Sequence, residues 1–190
     1  MKDNNSPSTP IKTAILSFGM SGKVFHAPFI HHHNGFELTG IVERTKNSAS
    51  GFYPNTKIYK SVEEVLDDNL VDLIVVNTPT HTHFEFAKMA LEKGKHIVVE
   101  KAFTTTAEEA SQLTELAIEK GLVLSVYQNR RWDSDFSTVK QIIDDQKIGA
   151  IISAESHFDR YKETISPKLH KETPNAGAGL LLDLGPHLID

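Results

Sequence analysis

The sequence predicts an α/β fold in which a doubly wound parallel sheet is followed by the start of a second α/β domain. Short apolar runs alternate with helical patterns from Ile11 to Val126, as in parallel sheets covered by helices on both faces. A turn containing two glycines follows the first run, and after Trp132 the alternating pattern stops. These observations divide the chain into a first, sheet-forming region and a second region of different organisation.

Five apolar runs predict strands, near residues 12–17, 36–43, 71–77, 95–99 and 122–126. Ser61 with Glu64 three residues later forms a capping-box pattern that predicts a helix over 61–69. Two further helices, over 84–93 and 107–120, are each followed by a glycine, Gly94 and Gly121. Glycine is the usual residue after a helix because it adopts the left-handed conformation at little cost.

The second region predicts a helix over about 135–146, a strand near 150–158, a polar loop to Asn175 and a leucine-rich helix that reaches Asp190. We assign residues 1–10 to a mobile leader, 11–130 to the first domain and 131–190 to the incomplete N-terminal part of the second. The terminal helix precedes any sheet that would cover its leucines. We therefore expect the chain to be a fragment of a longer protein.

Composition excludes several classes of function. The 190 residues carry a formal charge of −5 without a basic cluster, which argues against binding nucleic acid. No cysteine is present, so thiolate metal sites are excluded, and consecutive His31, His32 and His33 diverge too much to form a metal site; we predict none. The longest apolar runs, such as Leu73 to Val76, are far shorter than the roughly 18 residues that span a bilayer. We expect a cytoplasmic protein without membrane contact.

The turn after the first strand has the position of a dinucleotide-binding fingerprint. Its residues are Phe18, Gly19, Met20, Ser21 and Gly22. Gly19 would allow the backbone to approach a pyrophosphate and Gly22 would allow close packing of helix on strand, while the helix N-terminus favours an anion. Ser17 replaces the first glycine of the usual motif. A simple tight turn is the alternative interpretation.

Glu43 supports the nucleotide interpretation, since it ends the second strand 21 residues after Gly22. An acid about 20 residues beyond the glycines usually accepts hydrogen bonds from the adenosine ribose. Its charge would favour NAD, whereas the adjacent Arg44 could bind the 2′-phosphate of NADP. The sequence therefore predicts NAD or NADP, with a preference for NAD. The alternative for Glu43 is a solvated charge at a strand end.

Several segments together resemble the Gfo/Idh/MocA oxidoreductase family, in particular its inositol-dehydrogenase-like branch. The resemblance implies a Rossmann-type doubly wound sheet followed by an α/β substrate domain. The chain departs from the family at Ser17 and at Ala102, where the family's E-K-P motif has proline. The segments are FGMSGKVFHAPF (18–29), TPTHTH (78–83), GKHIVVEK (94–101), NRRWD (129–133), SHFDRY (156–161) and GLLLDLGPHLID (179–190).

The resemblance implies three catalytic residues. Lys101 matches the lysine of the E-K-P motif, which is expected to orient and help deprotonate the reacting hydroxyl. Asp183 and His187 match the family's D-x-G-x-H pattern, and we assign proton transfer to His187. Their spacing of four places both on one helix face. The alternatives are a surface lysine and an Asp–His pair with a structural role only.

The same resemblance assigns further contacts to the cofactor. Thr78, Pro79 and His83 are expected to line the nicotinamide pocket, Glu100 belongs to the E-K-P motif, and Arg131 is expected to meet cofactor or substrate. Sequence reasoning assigns no chemistry to His26. The complete set of predicted cofactor-binding residues is Phe18, Gly19, Met20, Ser21, Gly22, Glu43, Arg44, Thr78, Pro79, His83, Glu100 and Arg131.

The expected function is hydride transfer between a nicotinamide cofactor and a secondary alcohol of a polyol, cyclitol or sugar. The partner is then a small-molecule substrate, and a homo-oligomer is possible for a full-length protein. The alternative is a cofactor-binding module, or an inactive fragment that binds NAD or NADP without catalysis.

Overall fold

A computed structural model describes residues 9–159, 161, 163, 164, 174 and 176–190. The chain forms two compact units, Met1–Val126 and Tyr127–Asp190. Residues 1–8 of the predicted leader, and most of the loop predicted to reach Asn175, lie outside the described residues.

The first unit is built on a six-stranded sheet with the order β3-β2-β1-β4-β5-β6. The pairs β1–β2, β1–β4, β2–β3 and β4–β5 are parallel, which confirms the predicted doubly wound fold. Sequence analysis missed only the short edge strand β3. The strands are β1 (Ile11–Ile15), β2 (Phe36–Val42), β3 (Lys57–Tyr59), β4 (Leu73–Val76), β5 (His96–Glu100) and β6 (Leu124–Tyr127).

Helices cover both faces of the sheet. Successive residues of β1 enter different hydrophobic clusters. Ala14 belongs to the cluster formed with helices α2 (Val62–Leu66), α3 (His83–Glu92) and α4 (Ala107–Glu119), and Ile15 to the cluster formed with α1 (Ala27–His32). This division follows from the period of two in a strand. A π-helical turn, Gly22–His26, leads directly into α1.

The helix starts and the two glycine-marked helix ends follow the predicted signals, but α2 ends at Leu66, three residues before its predicted end. Ser61 Oγ accepts a hydrogen bond from the Glu64 amide at 3.2 Å, as a capping residue should. The Glu64 carboxylate reaches the amide of Lys60 at 2.8 Å. Gly94 and Gly121 have φ values of +74° and +64°, so both helix ends require the left-handed conformation that glycine permits.

The second unit contains α5 (Ser134–Asp144) and α6 (Leu180–Ile189), with Pro186 inside the latter. The predicted strand near 150–158 is wrong, because residues 151–159 form no strand. A strand needs a neighbour for its backbone hydrogen bonds, and no neighbouring strand is found among the described residues of this unit. The side chains of Ile151 and Ile152 are accordingly exposed. None of the helices described is both long and apolar enough to cross a membrane.

Candidate functional site

The turn after β1 is fixed to the end of β4 by one side chain. Asn77, which follows β4 directly, donates from Nδ2 to the Ser17 carbonyl oxygen at 2.8 Å. A Cβ at Gly22 would lie 2.2 Å from this carbonyl oxygen and 3.1 Å from Asn77 Nδ2. Gly22 is therefore required by the packing of the turn itself. The turn occupies the point where the strand order reverses, which is where ligands bind in open parallel sheets.

Gly19 is glycine for a different reason. It is exposed, and a Cβ there would meet only Ser17 Oγ, at 3.5 Å, an ordinary contact distance. The Gly19 amide donates to Ser17 Oγ at 3.3 Å. The hydroxyl of Ser17 thus closes the turn at the position where the usual motif has its first glycine. The folded chain leaves the surface over Gly19 open to a ligand.

Phe18 and Met20, both in this turn, differ in their exposure to solvent. Phe18 is buried, and its ring packs against Phe52 and Tyr53 with centroids 6.1 and 6.0 Å away. Lys23 Nζ lies 5.2 Å from the centroid of Phe18. The side chain of Met20 is exposed. Phe18 therefore supports the turn from the protein interior, whereas Met20 is available on its surface.

Glu43 directly follows β2, one residue beyond the strand end where the sequence predicts it, and its carboxylate is bound by its own loop. Oε1 accepts from Ser48 Oγ at 2.7 Å and Oε2 from the Ala49 amide at 2.8 Å. Burial raises the pKa of Glu43, but these hydrogen bonds and the charge of Lys23 outweigh it and leave the pKa below its usual value. Arg44 is exposed. The ribose-binding role of Glu43 stays a prediction, while the Arg44 guanidinium is accessible.

The end of β5 brings three predicted site residues together. Glu100 Oε1 accepts from Ser21 Oγ at 2.9 Å and from His26 Nε2 at 2.8 Å, and Oε2 accepts from the Lys101 amide at 3.2 Å. Burial raises the pKa of Glu100, yet the hydrogen bonds to its carboxylate hold this pKa below its usual value. Among them, the hydrogen bond from His26 has the largest effect on the pKa. An ionised carboxylate therefore joins the glycine turn, residues 18–22, to Lys101, which is predicted to be catalytic.

His83 connects the loops that follow β4 and β5. Its ring is almost completely buried. Nδ1 lies 2.8 Å from the Ala102 carbonyl oxygen, and Nε2 lies 2.8 Å from that of Thr78. Burial lowers the pKa of His83 despite these contacts. The ring contacts the loops themselves, so its predicted contact with a cofactor stays a prediction.

Thr78 and Pro79 form the start of the loop after β4. Thr78 Oγ1 lies 2.7 Å from Thr82 Oγ1, and the Pro79 carbonyl accepts from the Thr82 amide at 2.8 Å. These bonds shape the short 3-10 turn that leads into α3. Both residues are thus held at the carboxyl edge of the sheet, as the sequence predicts for a pocket lining.

The remaining predicted residues belong to the second unit. Arg131 forms a two-point ion pair with Asp190, with Nε 2.6 Å from Oδ2. The hydrogen bond from Arg131 lowers the pKa of the Asp190 carboxyl. Asp183 and His187 are four residues apart on α6, and both are half-buried. Among the described residues, no group of three or more His, Asp or Glu side chains is arranged to hold a metal ion.

Two residues of the site were missed by sequence reasoning. Asn77 carried a usable signal, because a polar residue directly after a buried strand lies at the edge where ligands bind. His26 carried a weaker one: it lies within the segment resembling the family, but a single histidine in a short helix does not indicate its partner. Only the tertiary structure brings it to Glu100.

The strand order and the glycine turn at its reversal point define a dinucleotide-binding Rossmann domain. Residues 11–128 match the profile of an oxidoreductase family with an NAD-binding Rossmann fold, and residues 136–190 match the GFO/IDH/MocA C-terminal domain. The chain therefore belongs to the Gfo/Idh/MocA family of oxidoreductases.

Individual relatives agree with this assignment. An uncharacterized oxidoreductase of Schizosaccharomyces pombe is 45% identical, and scyllo-inositol 2-dehydrogenase (NADP(+)) of Bacillus subtilis is 36% identical. Each match covers 95% of this chain and 50% of the relative. The crystal structure of an NAD-binding protein from Listeria innocua has a TM-score of 0.86 and 31% identity, covering 95% of this chain and 51% of that one. The chain thus spans about half the length of these relatives.

Proposed function

We propose that the chain provides the NAD(P)-binding domain and part of the substrate domain of a dehydrogenase acting on a secondary alcohol of a polyol, cyclitol or sugar. The observation that carries this proposal is the Glu100 carboxylate. It binds Ser21 of the glycine turn and the amide of Lys101 at once. A nucleotide-binding turn and a candidate acid–base residue are thereby held at one edge of the sheet.

The residues at this edge fit a dinucleotide. Gly19 leaves its backbone exposed, and the turn leads directly into helical backbone whose first amides favour an anion. Asn77 Oδ1 is buried and has no hydrogen-bond partner among the described residues. Arg44 and Lys23 supply exposed positive charge close to the loop of Glu43. Gly19 to Gly22 would hold the pyrophosphate, and Arg44 a 2′-phosphate if one is present.

The protein's part in the reaction is orientation and proton transfer. When bound, the nicotinamide supplies the hydride acceptor or donor. Lys101, fixed at its amide by Glu100, would hold the reacting hydroxyl of the substrate. His187 would take the hydroxyl proton, and Asp183 would fix the tautomer of His187 or hold a second hydroxyl. The roles of Asp183 and His187 rest on the family's sequence pattern.

The substrate class is supported by one relative in particular. The Bacillus subtilis protein, 36% identical, is named for scyllo-inositol and NADP(+). A cyclitol or sugar with adjacent hydroxyl groups would suit a site that has one group to deprotonate a hydroxyl and others to hold its neighbours. This makes a polyol panel the appropriate choice for assay.

The test uses the full-length protein and measures reduction of NAD and NADP against that panel. Lys101→Ala and His187→Ala should each lower turnover by about 100-fold or more, the scale of a positioned acid or base. Affinity for the cofactor should change little in either variant. Near-normal turnover of both variants on a good substrate would contradict the assignment of proton transfer.

A second candidate is a module that binds NAD(P) without catalysis. The exposed leucines of α6, Leu180 and Leu181, favour it for the 190 residues alone. Catalysis by Asp183 and His187 would require precise placement of this helix, because a displacement of about 1 Å can cost roughly 100-fold in rate. Calorimetric titration with each dinucleotide and a turnover assay on residues 1–190 separate the two candidates. Robust turnover would exclude the non-catalytic module.

A further inference from the structure

The buried histidine of the first helical turn lies outside the proposed catalytic and cofactor-binding residues. His26 ends the π-helical turn that follows Gly22, and its side chain is only 4% exposed. Its Nε2 lies 2.8 Å from Glu100 Oε1. A buried ionisable side chain is costly unless it is hydrogen-bonded or paired. The contact with Glu100 provides a hydrogen-bond partner for Nε2 of this buried ring.

The chemistry of this contact fixes which group donates. The pKa of Glu100 lies below its usual value, so the carboxylate is ionised at neutral pH and can only accept hydrogen bonds. His26 Nε2 must therefore carry the hydrogen, as a neutral tautomer or as an imidazolium. Ser21 donates to the same oxygen, and the Lys101 amide donates to the other. The Glu100 charge also acts on His83, where it opposes the lowering of the pKa by burial.

We propose that His26 is a positioning residue that holds the Glu100 carboxylate between the glycine turn and Lys101, and thereby sets the affinity for dinucleotide without touching it. The inference rests on the proposed function. If the imidazole is removed, a carboxylate whose side chain is only 14% exposed loses its closest donor. It must then take up a proton or turn towards water. Either response changes the bonds to Ser21 and Lys101.

The main test compares two substitutions of this residue. His26→Leu removes the donor, whereas His26→Gln keeps an N–H group at a similar reach from the backbone. We expect NADPH and NADH affinity, measured by calorimetric titration, to fall about tenfold or more in His26→Leu, the effect of losing a hydrogen bond to a charged group. His26→Gln should stay within about threefold of wild type, because the donor is retained.

The matched control is His32→Leu, which makes the same change at an exposed position of α1. Its affinity should equal that of wild type. A purely structural role for His26 would lower the melting temperature of His26→Leu and leave its affinity unchanged, which would overturn the inference. Equal loss of affinity in His26→Gln and His26→Leu would also overturn it, since the donor would then not matter.

Two further measurements keep the inference testable if His26→Leu does not fold. Ser21→Ala removes one hydroxyl donor from the same oxygen and should lower affinity by about threefold, the effect of a neutral hydrogen bond. Without any nucleotide, exchange of the Lys101 amide hydrogen should be faster in His26→Leu, or in the shorter His26→Asn if His26→Leu does not fold, than in His32→Leu. Equal exchange in variant and control would overturn the positioning role. Failure of the wild type to bind either dinucleotide would refute the proposed function instead, and the exchange measurement would still decide the role of His26.

Discussion

The two units of the chain bury their helices to very different extents. In the first unit, α4 packs Leu113 and Ala117 into the larger hydrophobic cluster, and neither side chain is exposed to any significant degree. In the second, α5 has no buried residue in the described structure, and α6 buries only Leu184 and Gly185. Burial of apolar surface is the dominant stabilising contribution in folding. The first unit therefore has a core of its own, whereas the two helices described in the second unit bury few apolar side chains.

This difference bears on what each unit can do alone. The residues proposed to bind dinucleotide, apart from Arg131, lie in the unit that carries its own core. Asp183 and His187 lie on a helix with most of its apolar side chains exposed. Binding should accordingly depend mainly on the first unit, and the precision needed for catalysis on how firmly α6 is held.

The largest expected effect tests the core directly. Leu113→Ala should lower the free energy of unfolding by roughly 3 kcal/mol, because it leaves a cavity at a fully buried position. Ile143→Ala on α5, where the side chain is 39% exposed, should cost less than about 1 kcal/mol. Urea unfolding followed by circular dichroism measures both. Equal losses would contradict the difference in burial between the two units.

A second prediction concerns a buried lysine that belongs to the first unit. Lys95 Nζ donates to the carbonyl oxygens of Asp68 and Val71, each at 2.8 Å. Lys95→Met should cost roughly 2 kcal/mol, because both carbonyls lose a charged donor in a buried setting. The control is Lys93→Met, two residues away, whose exposed ion pair with Asp67 should contribute less than about 1 kcal/mol. Similar unfolding curves for the two variants would contradict this.

The two glycines of the turn should separate folding from binding. Gly22→Ala should cost about 2 kcal/mol in unfolding free energy, since its Cβ would overlap the Ser17 carbonyl oxygen. Gly19→Val should leave stability nearly unchanged and weaken dinucleotide binding, because it fills the surface kept open for a pyrophosphate. Thermal unfolding and calorimetric titration of each variant give both quantities. A Gly19→Val protein with wild-type affinity for both cofactors would refute the assignment of the turn.

The smallest expected effect is a pH dependence. Hydrogen bonds from Lys57 Nζ, the Leu70 amide and Tyr59 OH hold the pKa of Asp68 far below its usual value. A lowered folded pKa stabilises the protein above the unfolded pKa of about 4, and this stabilisation is lost as pH falls towards the folded pKa. Asp68→Asn should therefore reduce stability at pH 7 by about 1 kcal/mol and flatten the acid side of the stability curve.

The matched control for this prediction is Asp67→Asn, the adjacent exposed aspartate. Its stability curve between pH 2 and pH 7 should run parallel to that of wild type, within the roughly 0.5 kcal/mol typical of surface substitutions. If Asp68→Asn also ran parallel to wild type, the cluster around Asp68 would contribute no pH-dependent stability.

Sequence reasoning succeeded where the signal is local. Gly94 and Gly121 mark helix ends by backbone conformation, and Ser61 caps a helix through an amide three residues away. Strand β3 was missed because three residues, Lys57–Tyr59, give no periodic pattern. The predicted strand near 150–158 failed because a short apolar segment says nothing about whether a neighbouring strand exists.

The site could be predicted in part for the same reason. The glycine turn and Glu100 with Lys101 were found because motif and strand end are contiguous in sequence. The bond between His26 and Glu100 spans 74 residues, and the bond between Asn77 and Ser17 spans 60. Such partners are set by strand order and by the path of the first helix, which no short window of sequence records.

The serine at the start of the turn has a consequence for how such domains diverge. Among described non-glycine residues only Gln146 has a positive φ, so position 17 needs no glycine for its backbone conformation. Its hydroxyl supplies an acceptor for the Gly19 amide that a glycine could not. A glycine at position 17 would therefore lose this hydrogen bond without relieving any backbone strain. For this turn, a motif anchored on Gly22, where a Cβ would clash, is more informative than one that requires the first glycine.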